Sequence, residues 1–125
     1  MLSGRMKPDT RFTRDDLRKV DPKFQPPRYS QYLQAVEALD QFAQENYGKQ
    51  VVELAVRWAL DQPGVSVALW GARHPEQLQP VENILGWNLD GGAFRTIDKI
   101  VRETVKDPVG PEFMAPPARQ TLAIA

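Results

Sequence analysis

Cysteine is absent from the 125-residue chain, which excludes disulfides, a Cys-based metal site and a thiol nucleophile. Histidine occurs once, as His74, and a lone imidazole with no other candidate ligands at suitable spacing does not make a zinc site. No apolar run reaches the length of a membrane-crossing helix. The opening Met1-Leu2-Ser3-Gly4-Arg5 has nothing like the apolar core of a signal peptide. An excess of one charge is also missing, because sixteen basic residues balance sixteen acidic ones. General attraction to nucleic acid or to an anionic membrane is therefore not expected, and any anion site has to be local. These absences lead to the expectation of a soluble, cytoplasmic protein without a metal. What is present is an apolar content of 42%, enough for the modest core of one small domain or less.

Residues 1–29 hold four prolines, the charged cluster Arg14-Asp15-Asp16-Leu17-Arg18-Lys19 and few periodic apolar positions, the pattern of a long surface loop or of a disordered tail. From Ser30, a candidate N-cap, Leu33, Val36, Leu39, Phe42 and Ala43 recur at spacings of three and four, which predicts a helix stopping near Gly48. A second helix is predicted over about Val51 to Asp61, apolar almost all round. Its charges Glu53, Arg57 and Asp61 fall at i, i+4 and i+8, which predicts one narrow solvent-facing stripe with everything else buried. Pro63-Gly64 breaks that helix, and the run Val65 to Trp70 reads as a short strand covered on both faces. Pro75 and Glu76 suit the first turn of a further helix, and Pro80 predicts an interruption and restart. Asp90 is positioned to cap a last helix with Ala93, Phe94, Ile97, Ile100 and Val101 facing inward. Residues 107–125 carry Pro108, Pro111, Pro116 and Pro117 and form a Pro-rich tail.

A nearly all-apolar helix, a doubly covered strand and another helix make an α/β pattern. With a single strand at about 65–70, the mostly helical chain reads as an incomplete barrel. A (β/α)8 barrel has eight strands and typically ~250 residues, so the chain corresponds to roughly its last quarter of strands and helices.

Two motifs carry a resemblance. Ala55-Val56-Arg57-Trp58-Ala59-Leu60-Asp61-Gln62-Pro63-Gly64-Val65, followed by Gly71-Ala72-Arg73-His74-Pro75-Glu76-Gln77-Leu78, resembles the closing βα unit of the aldo-keto reductases. Leu2-Ser3-Gly4-Arg5, with Asp16-Leu17-Arg18 and Pro22-Lys23-Phe24, resembles the loop after that family's seventh strand. The similarity spans residues 2 to about 105 and implies the C-terminal portion of a (β/α)8 barrel. Residues 1–29 would be the long loop, 30–106 the last helices and eighth strand, and 107–125 the tail. The resemblance also implies NADP(H) as cofactor and a small carbonyl substrate for the full-length enzyme. In the family the Gly71-Ala72-Arg73 loop would hold the adenosine 2′-phosphate: Gly71 lets the backbone approach, Arg73 supplies the guanidinium, and Gln77 contacts the adenosine end. Arg5 matches a basic position that reaches the cofactor from the long loop. The family's Glu-Asn pair, which meets adenine, stands where this chain has Pro80 and Val81, and Glu82 and Asn83 come two residues later.

The local chemistry points the same way by an independent route. A glycine at the end of a strand, then an arginine and a helix N-terminus, bring free N–H groups, a positive dipole end and a bidentate donor together. An ordinary exposed arginine is the plainer reading of Arg73. For His74 the alternatives are a partly exposed loop residue and a phosphate hydrogen bond.

The Tyr, Lys, Asp and His that perform proton transfer in the family come from earlier strands and have no counterparts here, so no residue is assigned a catalytic role. Tyr29, Tyr32 and Tyr47 lie in or beside the first helix without a Lys or His to lower a phenol's pKa. They read as packing and surface residues, as Trp58, Trp70 and Trp87 read as core or interface. The expectation is a cofactor-binding segment of an oxidoreductase, inactive alone. The alternative is a non-enzymatic helical module for protein interaction or self-association. A DNA-binding helix-turn-helix is a superficial match only, since the second helix would present Glu53, Arg57 and Asp61 to the groove.

Overall fold

The computed structural model describes residues 1–13 and 15–110. Three α-helices dominate: α1 (Arg28–Tyr47), α2 (Val51–Leu60) and α3 (Gly91–Thr104). Short 3-10 turns at Leu17–Lys19 and Pro22–Phe24 precede them, and a longer 3-10 run, Pro75–Ile84, lies between α2 and α3. α1 packs against both α2 and α3, and α2 also packs against the Pro75–Ile84 run.

α1 begins two residues earlier than Ser30. Pro27 occupies its N-cap, and the Ser30 hydroxyl lies inside the helix, donating to the Pro27 carbonyl at 2.8 Å. Pro27 has a fixed φ already compatible with a helix start, so no side-chain cap is needed to begin it there. The helix ends where expected, at Gly48 with φ +63°. The amides of Gly48 and Lys49 donate to the Gln44 and Ala43 carbonyls, a left-handed stop that glycine adopts without Cβ strain. The tight turn brings Asp40 of α1 to the start of α2, where it accepts the Val51 amide at 2.8 Å. Gln50 and Glu53 complete a capping box, with the Gln50 amide donating to Glu53 Oε2 at 2.8 Å. Two carboxylates thus meet the positive end of α2.

The core is a single cluster in which Leu39 and Ala43 of α1, Val51 and Leu54 of α2, and Leu89, Ala93 and Ile97 meet. Asp90 caps α3 as predicted, accepting the Ala93 amide at 2.7 Å. Asp90→Ala is expected to lower stability by about 1 kcal/mol, which a thermal melt followed by circular dichroism would register as a Tm several degrees lower. Ala93 and Ile97 are buried, but Val101 is 38% exposed and lines an open groove beside the core.

Four further expectations change. Among the described residues no strand is assigned. Residues 65–70 run extended without strand partners, and Val67 and Leu69 are 70% and 96% exposed. A strand is stabilised by neighbours on both edges and faces, and the described residues supply none. The second change concerns α2, whose charged stripe does not face solvent. Glu53 is 3% exposed, and the stripe is covered by the 75–89 segment. Trp58, placed in the interior by the all-apolar reading, is 39% exposed instead. The last is Pro80, which sits inside one continuous 3-10 run. Successive three-residue turns accept a residue lacking N–H at the first position of a turn.

The long loop packs on α1 through an aromatic cluster. Phe12 meets Phe24 and Tyr29 edge-on at 5.2 and 6.4 Å, and the Tyr29 hydroxyl donates to the Lys7 carbonyl at 2.8 Å. At the other end, Arg28 forms an ion pair with Asp107, and Val109 donates its amide to the Tyr32 hydroxyl at 3.3 Å. Residues 111–125 of the Pro-rich tail lie outside the described residues, as does Arg14 of the charged cluster. Beside the core is a groove of about 720 Å³. Leu39, Leu54, Trp58 and Val101 line it, together with Met1 and Leu2. No helix is long and apolar enough to cross a membrane among the described residues.

Candidate functional site

The Gly71–Gln77 loop leaves the extended run and enters the Pro75–Ile84 turns with Pro75 at the first position and Glu76 in the first turn. Pro75 has no N–H to leave unsatisfied, and the negative Glu76 complements the dipole. Gly71, Ala72, Arg73 and His74 are all exposed. A Cβ placed on Gly71 meets no atom within 4 Å, so the backbone there is open to an incoming group. Gln77 organises the loop from within: its Oε1 accepts the amides of Arg73 at 2.7 Å and His74 at 3.2 Å. The Gln77 amide in turn donates to the His74 carbonyl at 3.0 Å. These bonds hold the loop in one shape and leave the Arg73 guanidinium as its main outward donor. His74 occupies the N-cap position of the run, with its backbone amide and carbonyl both bonded to Gln77.

The electrostatic role of Asp16 in the long loop was not legible in the sequence. Asp16 is held at a pKa of about 2, first by its hydrogen bonds to the Arg18 side chain and amide, with the charges of Arg18 and Arg73 adding to the effect. Arg18 grips the carboxylate through Nε at 2.8 Å and lies over the Phe12 ring, 4.6 Å from its centroid. Arg73 therefore stands close enough to the long loop to sense its carboxylate. Because the folded pKa is depressed, whatever stability this pair contributes is present above the ordinary carboxylate range and lost as pH falls through about 2. In an NMR titration Asp16 is expected to titrate near 2 and to return towards the ordinary range in Arg18→Ala. An unchanged midpoint in that variant would remove Arg18 as the cause.

Gly71, Ala72, Arg73 and Gln77 are brought together as one loop. Arg5 is exposed in the N-terminal turn next to Gly4, whose φ is +69° and whose missing Cβ would stand 3.5 Å from Val51 Cγ1. Among the described residues, no hydrogen bond or ion pair joins Arg5 to the Arg73 loop. Asn83 lies near the far end of the 3-10 run, and its Nδ2 donates to Glu53 Oε1 at 2.8 Å. Glu53 is the residue the sequence reading missed. Its period with Arg57 and Asp61 marked a stripe, but only the packing reveals which way the stripe faces.

The arrangement is suited to holding an anion, and the phenols are committed elsewhere. Tyr29 and Tyr32 use their hydroxyls in the long-loop and C-terminal contacts described above. Tyr47 packs on Trp87 at 4.9 Å, and burial, with the Asp90 charge, pushes its pKa upward, away from the range of a proton donor at neutral pH.

Residues 1–102 match the aldo/keto reductase family. The chain belongs to that family. It is 52% identical over 122 residues to the aldo-keto reductase YhdN of Bacillus subtilis, an alignment covering 98% of this chain and 37% of that protein. It also superposes on the glycerol dehydrogenase AKR11B4 from Gluconobacter oxydans with a TM-score of 0.79 and 45% identity, over 91% of this chain and 34% of the other. The described helices and turns thus have the arrangement of the matching part of a solved family member. The chain spans little more than a third of the length of these aldo-keto reductases.

Proposed function

We propose that the chain is the closing portion of the (β/α)8 barrel of an NADP(H)-dependent aldo-keto reductase and that its task is to hold the adenosine 2′-phosphate end of the cofactor. The observation that carries this reading is the Gly71–Gln77 loop. An exposed Arg73 stands beside an open Gly71, at the head of the Pro75–Ile84 turns. Arg73 would grip the phosphate with its forked donors, Ala72 and Gly71 would allow the backbone to approach, and Gln77 would keep the loop in shape while meeting the adenosine end. Asn83, with its amide nitrogen committed to Glu53, would offer its carbonyl oxygen to the adenine side, and Arg5 would reach in from the long loop.

Hydride transfer to a small carbonyl compound belongs, in this reading, to the intact enzyme and not to this chain. That the solved relative is a glycerol dehydrogenase fits a small, polar substrate for the whole barrel. With NADPH and a generic aldehyde, the chain alone is expected to show no loss of nicotinamide absorbance. Robust turnover would contradict the assignment of the proton-transfer groups to other strands.

A second reading, self-association, is favoured by one specific feature: the apolar groove beside Leu54 and Trp58, together with the exposure of Val67 and Leu69. Apolar surface of this extent on a small chain favours association. Light scattering is expected to give a mass that rises with concentration, and a compact monomer at all concentrations would count against this reading.

A further inference from the structure

α2 carries three charged side chains at helical spacing, and each reaches across to the segment that follows the Arg73 loop. Glu53 Oε1 accepts Asn83 Nδ2 at 2.8 Å. Arg57 Nη1 approaches the Ile84 carbonyl at 3.4 Å. Asp61 Oδ2 accepts the Leu89 amide at 2.8 Å and is paired to Arg57 at 2.7 Å. Of the three, Glu53 is the most buried, at 3% exposed. A carboxylate in that position is tolerable only because both of its oxygens are satisfied, Oε2 by the Gln50 amide and Oε1 by Asn83, next to the positive end of α2.

This geometry determines what Asn83 can do. Its amide group is planar, so a fixed Nδ2 also fixes the direction of Oδ1. We infer that Glu53 is a positioning residue of the adenosine site, holding the Asn83 carbonyl oxygen and the end of the Pro75–Ile84 run in place from behind. This rests on the cofactor reading given above and adds to it a buried group that touches no ligand. The stripe on α2 acquires a role in this way: it is the rigid wall against which the ligand-facing turns are set.

The pair admits a polarity swap. Asn83→Asp leaves Oδ1 in place and replaces the donor with a second carboxylate oxygen facing Glu53, so two negative charges meet across a hydrogen-bond distance. In Glu53→Gln/Asn83→Asp the new amide donates to the carboxylate introduced at position 83, keeps an oxygen for the Gln50 amide, and leaves the net charge of the pair unchanged. Binding of adenosine 2′,5′-bisphosphate to the full chain is to be measured by calorimetry, with circular dichroism and amide exchange at Leu89 as controls for folding. The expected result is a loss of affinity of about tenfold or more in Asn83→Asp, the scale of an uncompensated buried polar group, and recovery to within about threefold in the double variant. A role limited to local stability would move the melting curve without this pattern of loss and recovery in affinity. Wild-type affinity in Asn83→Asp would overturn the inference, as would a double variant that folds normally but binds as weakly as the single one. Failure of the wild-type chain to bind would overturn the cofactor reading, and the role of Glu53 would fall with it; binding by wild type without the loss and recovery overturns the role of Glu53 alone.

Discussion

Arg73→Ala is expected to weaken binding of adenosine 2′,5′-bisphosphate by about tenfold, with an upper bound near a hundredfold. A hydrogen bond to a charged group contributes about 1.5–3 kcal/mol, and each ~1.4 kcal/mol is a factor of ten in affinity. Arg73 is exposed, so water and salt screen it and the lower end applies. Adenosine 5′-monophosphate, which lacks the 2′-phosphate, should bind equally poorly to both proteins. Arg73→Lys should fall between wild type and alanine, because an ammonium keeps the charge and loses the fork. Calorimetry at two ionic strengths checks all of this: the difference between wild type and Arg73→Ala should shrink as salt rises. Equal affinities for the 2′-phosphorylated ligand in the two proteins would mean that Arg73 is an ordinary surface arginine.

Leu54→Ala should have the largest effect on stability. Leu54 is 2% exposed and belongs to the core cluster that also holds residues of α1 and α3. Removing a buried leucine side chain costs about 2–5 kcal/mol, against a total that for small domains is about 5–15 kcal/mol. One flank of Leu54 lines the apolar groove, so part of the packing that would be lost is already missing, which places the cost nearer the lower figure. With a core this small, the loss is expected to remove a large fraction of the total stability. A urea titration followed by helical circular dichroism would show the midpoint falling sharply, whereas a shift comparable to that of Asp90→Ala would mean that Leu54 is not central to the fold.

The elements with strong local signals were legible in the sequence. Three- and four-residue periodicity, with Gly48 as a left-handed stop, marked the body and end of α1, and Asp90 marked the start of α3. The start of the Pro75–Ile84 run was legible as well, because Pro75 and Glu76 each have a local physical role at a turn head. Features set by tertiary partners were not. The mostly apolar run Val65 to Trp70, bounded by turn residues, has the pattern of a strand covered on both faces, yet a strand forms only with hydrogen-bonding neighbours, and the described residues contain none. The period of Glu53, Arg57 and Asp61 is the same whether the stripe meets water or a folded-back segment, and composition favoured water. Only the path of residues 75–89 across α2 buries it. Burial of charge was thus the least legible property, and in this chain it lies directly behind the candidate site.

Phosphate holding by the Gly71–Gln77 loop is tested most directly by NMR on the isotope-labelled chain, titrated with adenosine 2′-monophosphate and, separately, with adenosine. The expected result is movement of the amide signals of residues 71–77 and of the Arg73 side chain with the 2′-phosphorylated ligand, and little movement with adenosine. Shifts confined to the apolar groove, or the same shifts with both ligands, would contradict a phosphate site at Arg73.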